Sequence, residues 1–127
     1  MGNKIKLAVN GTLMSGLALN DNLLKAGGVF VEATTTAPYY RLWSVQDNYP
    51  GMLRDNQFGT SVQVEIWSLF VEGLMDVLEH EPPGLTLGRV ELTSGEVVFG
   101  ILAEPYLIEG CTEITLWGGW RAYLHQK

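Results

Sequence analysis

Lys4-Ile5-Lys6-Leu7-Ala8-Val9-Asn10-Gly11-Thr12-Leu13-Met14-Ser15-Gly16 is the stretch on which the reading of the fold turns. Ile5, Leu7 and Val9 alternate with Lys4, Lys6 and Ala8, the period of a half-buried strand. The run breaks at Asn10-Gly11 and again at Ser15-Gly16, and Leu19-Asn20-Asp21-Asn22 then reads as the start of a helix. A strand that feeds a glycine-punctuated turn and a helix offers backbone N–H groups to an anion or a carbonyl oxygen. Gly11 and Gly16 are expected to accommodate positive φ and to let a ligand approach the backbone closely. Many such joints carry two glycines and bind nothing, so the turn marks a place to look rather than a site.

Outward from that stretch, Asn20 to Ala26 reads as a short helix closed by Gly27-Gly28. Val29 to Thr36 is β-branched and reads as a strand, Ala37-Pro38 breaks it, and Tyr39 to Val45 forms the next. Pro50-Gly51 reads as a turn within residues 46–56. Thr60 to Ser68 alternates, with Val62, Val64 and Ile66 on one face and Ser61, Gln63 and Glu65 on the other. Phe70 to Glu79 is the strongest helix, with Phe70, Val71, Leu74, Val77 and Leu78 as its apolar stripe. Glu81-Pro82-Pro83-Gly84 stops it. Leu85 to Leu92 and Glu96 to Ala103, around Thr93-Ser94-Gly95, predict a hairpin. The tail from Ile114 to Leu124 reads as neither helix nor strand. No linker, repeat or low-complexity segment divides the 127 residues. The expectation is one α+β domain over 1–127, a small mixed β-barrel with flanking short helices.

The composition narrows the function. Apolar residues make up 46% and charged residues 17%, as in a folded globule with a real core. Net charge is −6, and the eight Lys and Arg residues are scattered rather than clustered. That argues against nucleic acid and against anionic membrane surfaces. Cys111 is the one cysteine, so no internal disulfide forms, and a reducing cytoplasm fits. Its flanks, Glu109-Gly110 and Thr112-Glu113, disfavour a thiolate nucleophile. No basic stretch followed by an apolar one suggests a signal peptide, and no uncharged apolar run approaches a membrane span.

Candidate chemistry gathers at the end of the main helix. Asp76, Glu79 and Glu81 surround His80, and a proton-transfer enzyme needs a carboxylate shielded from water with its pKa lifted toward neutrality. Glu81, just before a rigid Pro-Pro turn, is the carboxylate that such a turn would aim inward. The competing reading is a solvated helix terminus with ordinary surface acids. His80 and His125 sit in no ligand-spaced cluster, so no metal is expected, and no cofactor fingerprint is present. Thr12 and Ser15 lack a neighbouring base and read as hydrogen-bonding loop residues. Arg54 and Arg121 are scarce positive charges that either grip a carboxylate substrate or pair with surface acids. Tyr40, with an apolar body and a polar tip, suits core or pocket lining.

With these residues set out, Leu7-Ala8-Val9-Asn10-Gly11-Thr12-Leu13 resembles the signature loop of the γ-glutamylcyclotransferase-like fold. The whole chain more closely resembles the C-terminal domain of allophanate hydrolase, as a free-standing version without the amidase half. The matching stretches are Gly16-Leu17-Ala18-Leu19-Asn20, Ala33 to Trp43, Pro50-Gly51-Met52-Leu53-Arg54, Val62 to Trp67, Gly88-Arg89-Val90-Glu91-Leu92 and Gly118-Gly119-Trp120-Arg121-Ala122-Tyr123-Leu124. The resemblance implies a pocket at the glycine loop. Asn10, Gly11, Thr12, Leu13 and Met14 then hold substrate, with Asn20, Asp21, Tyr40, Arg54 and Arg121 around it. In cyclotransferases of this fold a glutamate is the acid or base, and its helix-end position best matches Glu81. In the allophanate hydrolase domain the implied reaction is loss of carbon dioxide from N-carboxycarbamate. That family usually places a histidine after the asparagine of the loop helix, where this chain has Asp21. The tyrosine common before the cyclotransferase glycine is replaced by Asn10.

Three expectations follow. One is an enzyme acting on a small carboxylated amide or carbamate in urea and allophanate nitrogen metabolism. The second is γ-glutamyl cyclotransferase-type acid–base chemistry at Glu81. The third is a non-catalytic module that binds a small metabolite, docks on an amidase partner, or forms a homodimer through an apolar tail patch with Trp117 and Trp120.

Overall fold

The computed structural model describes residues 2–126. In chain order the strands are β1 (Lys4–Val9), β2 (Val29–Thr35), β3 (Tyr40–Val45), β4 (Tyr49–Arg54), β5 (Gln63–Phe70), β6 (Leu85–Glu91), β7 (Val97–Ala103) and β8 (Thr112–Glu113). The α-helices are α1 (Asn20–Lys25), α2 (Val71–Glu79) and α3 (Trp120–His125), with 3₁₀ turns at Pro105–Ile108 and Thr115–Trp117. No helix among the described residues is long and apolar enough to cross a membrane.

The strand that opens the chain becomes the centre of the larger sheet, whose order is β2-β5-β1-β7-β6. β1 runs antiparallel to β5, with Leu7 opposite Trp67, and parallel to β7, with Leu7 opposite Phe99. Flanked on both edges, Leu7, Ala8 and Val9 are almost fully buried, and they anchor a core that includes Leu23, Ile66, Leu69 and Val90. The outer strands curl toward each other at one end. Thr36 bridges Leu92, the Ala37 N–H donates to the Glu91 carbonyl at 2.9 Å, and the Thr93 N–H donates to the Thr35 carbonyl at 3.0 Å. The mixed α+β architecture is as expected, but the barrel is not closed. A second sheet, of order β4-β3-β8, packs beside the first.

Pro50-Gly51 is not a turn. Both residues lie inside β4, opposite Ser44 and Trp43 of β3. β4 is an edge strand, where a residue without an N–H costs no ladder bond. Gly51 is needed for closeness, since a Cβ there would stand 3.1 Å from both Ala103 Cβ and Ile108 Cγ2. The reversal falls at Gln46 and Asp47, with φ of 54° and 60°, the signs of a type I′ hairpin turn. Asp47 offsets that strained backbone. Its N–H donates to Ser44 Oγ at 3.0 Å, and its carboxylate accepts from Ser44 Oγ and Tyr123 Oη at 2.7 Å each.

The tail resolves into the Thr115–Trp117 turn, Gly118 at φ 77°, and α3. Trp120 is fully buried, so it cannot belong to the exposed apolar patch expected there, whereas Leu116 and Trp117 remain exposed. The stripe of α2 is narrower than its periodicity suggested. Leu74 and Val77 are buried, while Phe70, the last residue of β5, and Val71 face solvent.

Candidate functional site

The turn after β1 packs its glycine against the start of β4. A Cβ on Gly11 would lie 2.5 Å from Pro50 Cδ, so this position needs the missing side chain rather than a positive φ. Gly16 does take φ 75°. The turn is stitched by Met14 N–H to the Gly11 carbonyl at 3.0 Å and Leu19 N–H to the Thr12 carbonyl at 2.9 Å. Asn20 Nδ2 donates to the Leu13 carbonyl at 2.8 Å, tying the start of α1 back onto it. Asn10 is buried and donates to the Ile101 carbonyl at 2.9 Å, fixing the turn to β7. The amides of Thr12 and Leu13 meet no acceptor among the described residues. They are the groups the turn has to offer a ligand oxygen.

Glu81 faces this turn. α2 ends at Glu79, the His80 and Glu81 N–H groups fall back on the Val77 and Leu78 carbonyls, and Pro82-Pro83 forbids a further turn of helix. Gly84 reverses the chain at φ 95°, and its carbonyl accepts from the Glu104 N–H at 2.8 Å. The result sets Glu81 beside Val9, Asn10, Gly11, Thr12, Leu13, Tyr49, Pro50, Leu85 and Ile101 around one small cavity. Its carboxyl has no hydrogen-bond or ionic partner among the described residues. Burial alone pushes it up from the ordinary carboxylate range to about 7. The neighbouring Asp76, Glu79 and His80 stay exposed on the helix end.

A wider recess opens beside the cavity, bounded by Thr12, Ala18, Leu19, Asn48, Tyr49, Glu81 and Pro82. Tyr49 therefore walls both spaces. Burial, with Cys111, Glu81 and Tyr106 close by, pushes its phenol up, so it presents a neutral O–H. Sequence reasoning missed Tyr49 because Pro50-Gly51 was read as a turn. As the first residue of an edge strand, its side chain is directed by the β3 register.

The other expected site residues stand apart from this cavity. Arg54 pairs with Glu91 at 3.2 Å, donates from Nε to Asn56 at 2.7 Å, and lies over the rings of Tyr39 and Tyr40. Tyr40 is fully buried, and its hydroxyl accepts the Glu91 N–H at 2.9 Å. Asp21 is exposed and pairs with Lys25 at 3.5 Å. Met14 is buried on the far side of the turn, where a separate groove holds Glu65 and Arg121. Arg121 Nη2 donates to Glu65 at 3.2 Å and to the Ser15 carbonyl at 3.0 Å. Both arginines thus serve carboxylates of the protein, and none of the residues lining the Glu81 cavity is cationic. The described residues hold no cluster of three or more His, Cys, Asp and Glu suited to a metal ion.

The family model described as allophanate hydrolase C-terminal domain matches residues 5–125. The crystal structure of a uropathogenic E. coli-specific protein is 50% identical, with a TM-score of 0.95 and 98% of each chain covered. Kluyveromyces lactis allophanate hydrolase superposes with a TM-score of 0.92 at 30% identity, covering 98% of this chain and 21% of that one. Urea amidolyase from Saccharomyces cerevisiae is 33% identical over 126 residues, which is 94% of this chain. The chain spans 7% of the length of the curated relatives it matches. An AIG2-like protein from Mus musculus shares the fold at a TM-score of 0.64 and 20% identity, with 84% of this chain and 83% of that one covered.

Proposed function

The chain belongs to the allophanate hydrolase C-terminal domain family, and we propose that it binds a small carboxylated carbamate or amide at the glycine turn and releases carbon dioxide from it, with Glu81 as proton donor. N-carboxycarbamate is the simplest substrate of this type. One carboxylate accepts from the Thr12 and Leu13 amides. The bond between nitrogen and the other carboxyl carbon breaks, its electron pair stays on nitrogen, and the Glu81 proton moves to that nitrogen. The dianion plus one proton becomes a carbamate monoanion and carbon dioxide, so charge and atoms balance. Glu81 then regains a proton from water.

The observation that carries this reading is the Glu81 carboxyl itself: half-buried, unpartnered, raised to about 7, and lining one cavity with a ligand-ready turn. A group with that pKa is half protonated at neutral pH, the condition for efficient general acid catalysis. The larger relatives, an allophanate hydrolase and a urea amidolyase, support an amidase as the partner that supplies the substrate.

The test is carbon dioxide release when N-carboxycarbamate is generated in place from allophanate by a separate amidase. The wild-type chain should accelerate release, and Glu81→Gln should lower that acceleration by about 100-fold or more. A fully active Glu81→Gln removes Glu81 from the mechanism, and a wild-type chain without effect removes decarboxylation. Binding of 5-oxoproline in place of malonate would transfer Glu81 to γ-glutamyl chemistry.

A further inference from the structure

We propose that the recess beside the Glu81 cavity is a second subsite, which takes a compact hydrophobic substituent, so that the preferred substrate is a substituted carboxylated amide or carbamate rather than a bare one. This rests on the reading that the ligand's oxygen-bearing group sits at the glycine turn, and it extends that reading to the rest of the molecule.

The two spaces differ sharply in size. The inner cavity offers about 20 Å³, little more than the room one water-sized group needs, about 10–15 Å³. The recess offers about 240 Å³. The inner cavity therefore takes a single oxygen-bearing end, and the body of any larger substrate lies outside it. Thr12, Tyr49 and Glu81 line both spaces, which sets the recess directly beside the inner cavity.

Chemistry selects what lies beyond. The recess is walled by Ala18, Leu19 and Pro82, with Asn48 as its one further polar side chain. None of its lining residues is a cation, so a second carboxylate placed there would lose water and gain no charge partner. An alkyl or aryl group instead exchanges contact with water for contact with carbon. The substrate class implied has its reacting carboxylated nitrogen at the Thr12–Tyr49–Glu81 junction and a small apolar group attached to it.

The experiment is a calorimetric comparison of malonate with benzylmalonate on the full chain, near pH 6. The same pair is then measured on Ala18→Trp, which fills the recess from an exposed position and leaves the core untouched. Benzylmalonate should bind the wild type about tenfold more tightly than malonate, and Ala18→Trp should bring that ratio to about one. A wild-type ratio at or below one overturns the subsite, as does a ratio that survives Ala18→Trp or the absence of binding by both compounds. The wild-type ratio decides without any variant. Failure here is separable from failure of the chemistry. A persistent benzyl preference with no Glu81-dependent carbon dioxide release sinks the reaction and keeps the subsite, and the reverse pattern does the opposite.

Discussion

Glu65 and Glu81 are both drawn away from water against the Gly11–Gly16 turn, one behind it and one in front. Glu65 sits on β5 at 7% exposure. It accepts from the Ser15 N–H at 2.8 Å, from Ser15 Oγ and Trp67 Nε1 at 3.1 Å each, and from Arg121 Nη2 at 3.2 Å. Glu81 accepts from nothing among the described residues, and burial holds it near 7. Hydrogen bonds meet the cost of burying the Glu65 carboxyl, whereas burial without a partner favours the protonated form of Glu81. A carboxylate whose lone pairs are filled serves as scaffold. One left unpartnered beside a ligand-ready turn is available for proton transfer.

The two carboxyl groups differ most in turnover, where Glu81→Gln is expected to cost about 100-fold or more while the fold persists. Stability against pH gives the next effect. The folded protein keeps the Glu81 proton up to about pH 7, whereas an unfolded glutamate loses it near 4.5. Between those values the folded state binds more protons, so stability falls as pH rises, and above 7 this contribution is flat. Over 2.5 units (7 minus 4.5) the loss comes to about 3 kcal/mol. Glu81→Gln lacks it. Urea denaturation should find the variant and the wild type alike at pH 4.5 and the variant more stable by about 3 kcal/mol at pH 8. Equal stability at pH 8 would mean that Glu81 ionises normally.

Glu65→Ala leaves the Ser15, Trp67 and Arg121 donors without their acceptor and should destabilise by about 2 kcal/mol, discounted because Arg121 is 39% exposed. Glu65→Gln keeps an acceptor and should lose less. A Glu65→Ala variant as stable as the wild type by urea denaturation would remove Glu65 from the scaffold.

The local parts of this arrangement were legible in the sequence. Alternation marks β1, the glycines mark the turn, and a helix cut by Pro-Pro marks the place of Glu81, all within short windows. What was not legible depends on distant partners. Alternation sets Glu65 on the face of β5 opposite Val64 and Ile66, yet only the fold reveals that this face is buried at Glu65 and that Ser15, 50 residues away, and Arg121, 56 residues away, cover it. For Arg54 and Arg121 the sequence leaves substrate binding and pairing with acids both open, because their partners Glu91 and Glu65 are far off in the chain. The β3–β4 reversal was misplaced because it uses Gln46 and Asp47 at positive φ rather than the neighbouring glycine. Asp47 is held there by Tyr123, 76 residues on. The Thr36–Leu92 bridge, which draws the outer strands together at one end, was beyond local pattern for the same reason, since it joins segments with no shared signal.

The most direct measurement is a carbon-13 NMR titration of the Glu81 side-chain carboxyl, assigned by its disappearance in Glu81→Gln. The midpoint should lie near pH 7 and move when malonate is added. A midpoint near 4.5, indifferent to malonate, would show a solvated helix-end carboxylate with no part in binding or proton transfer.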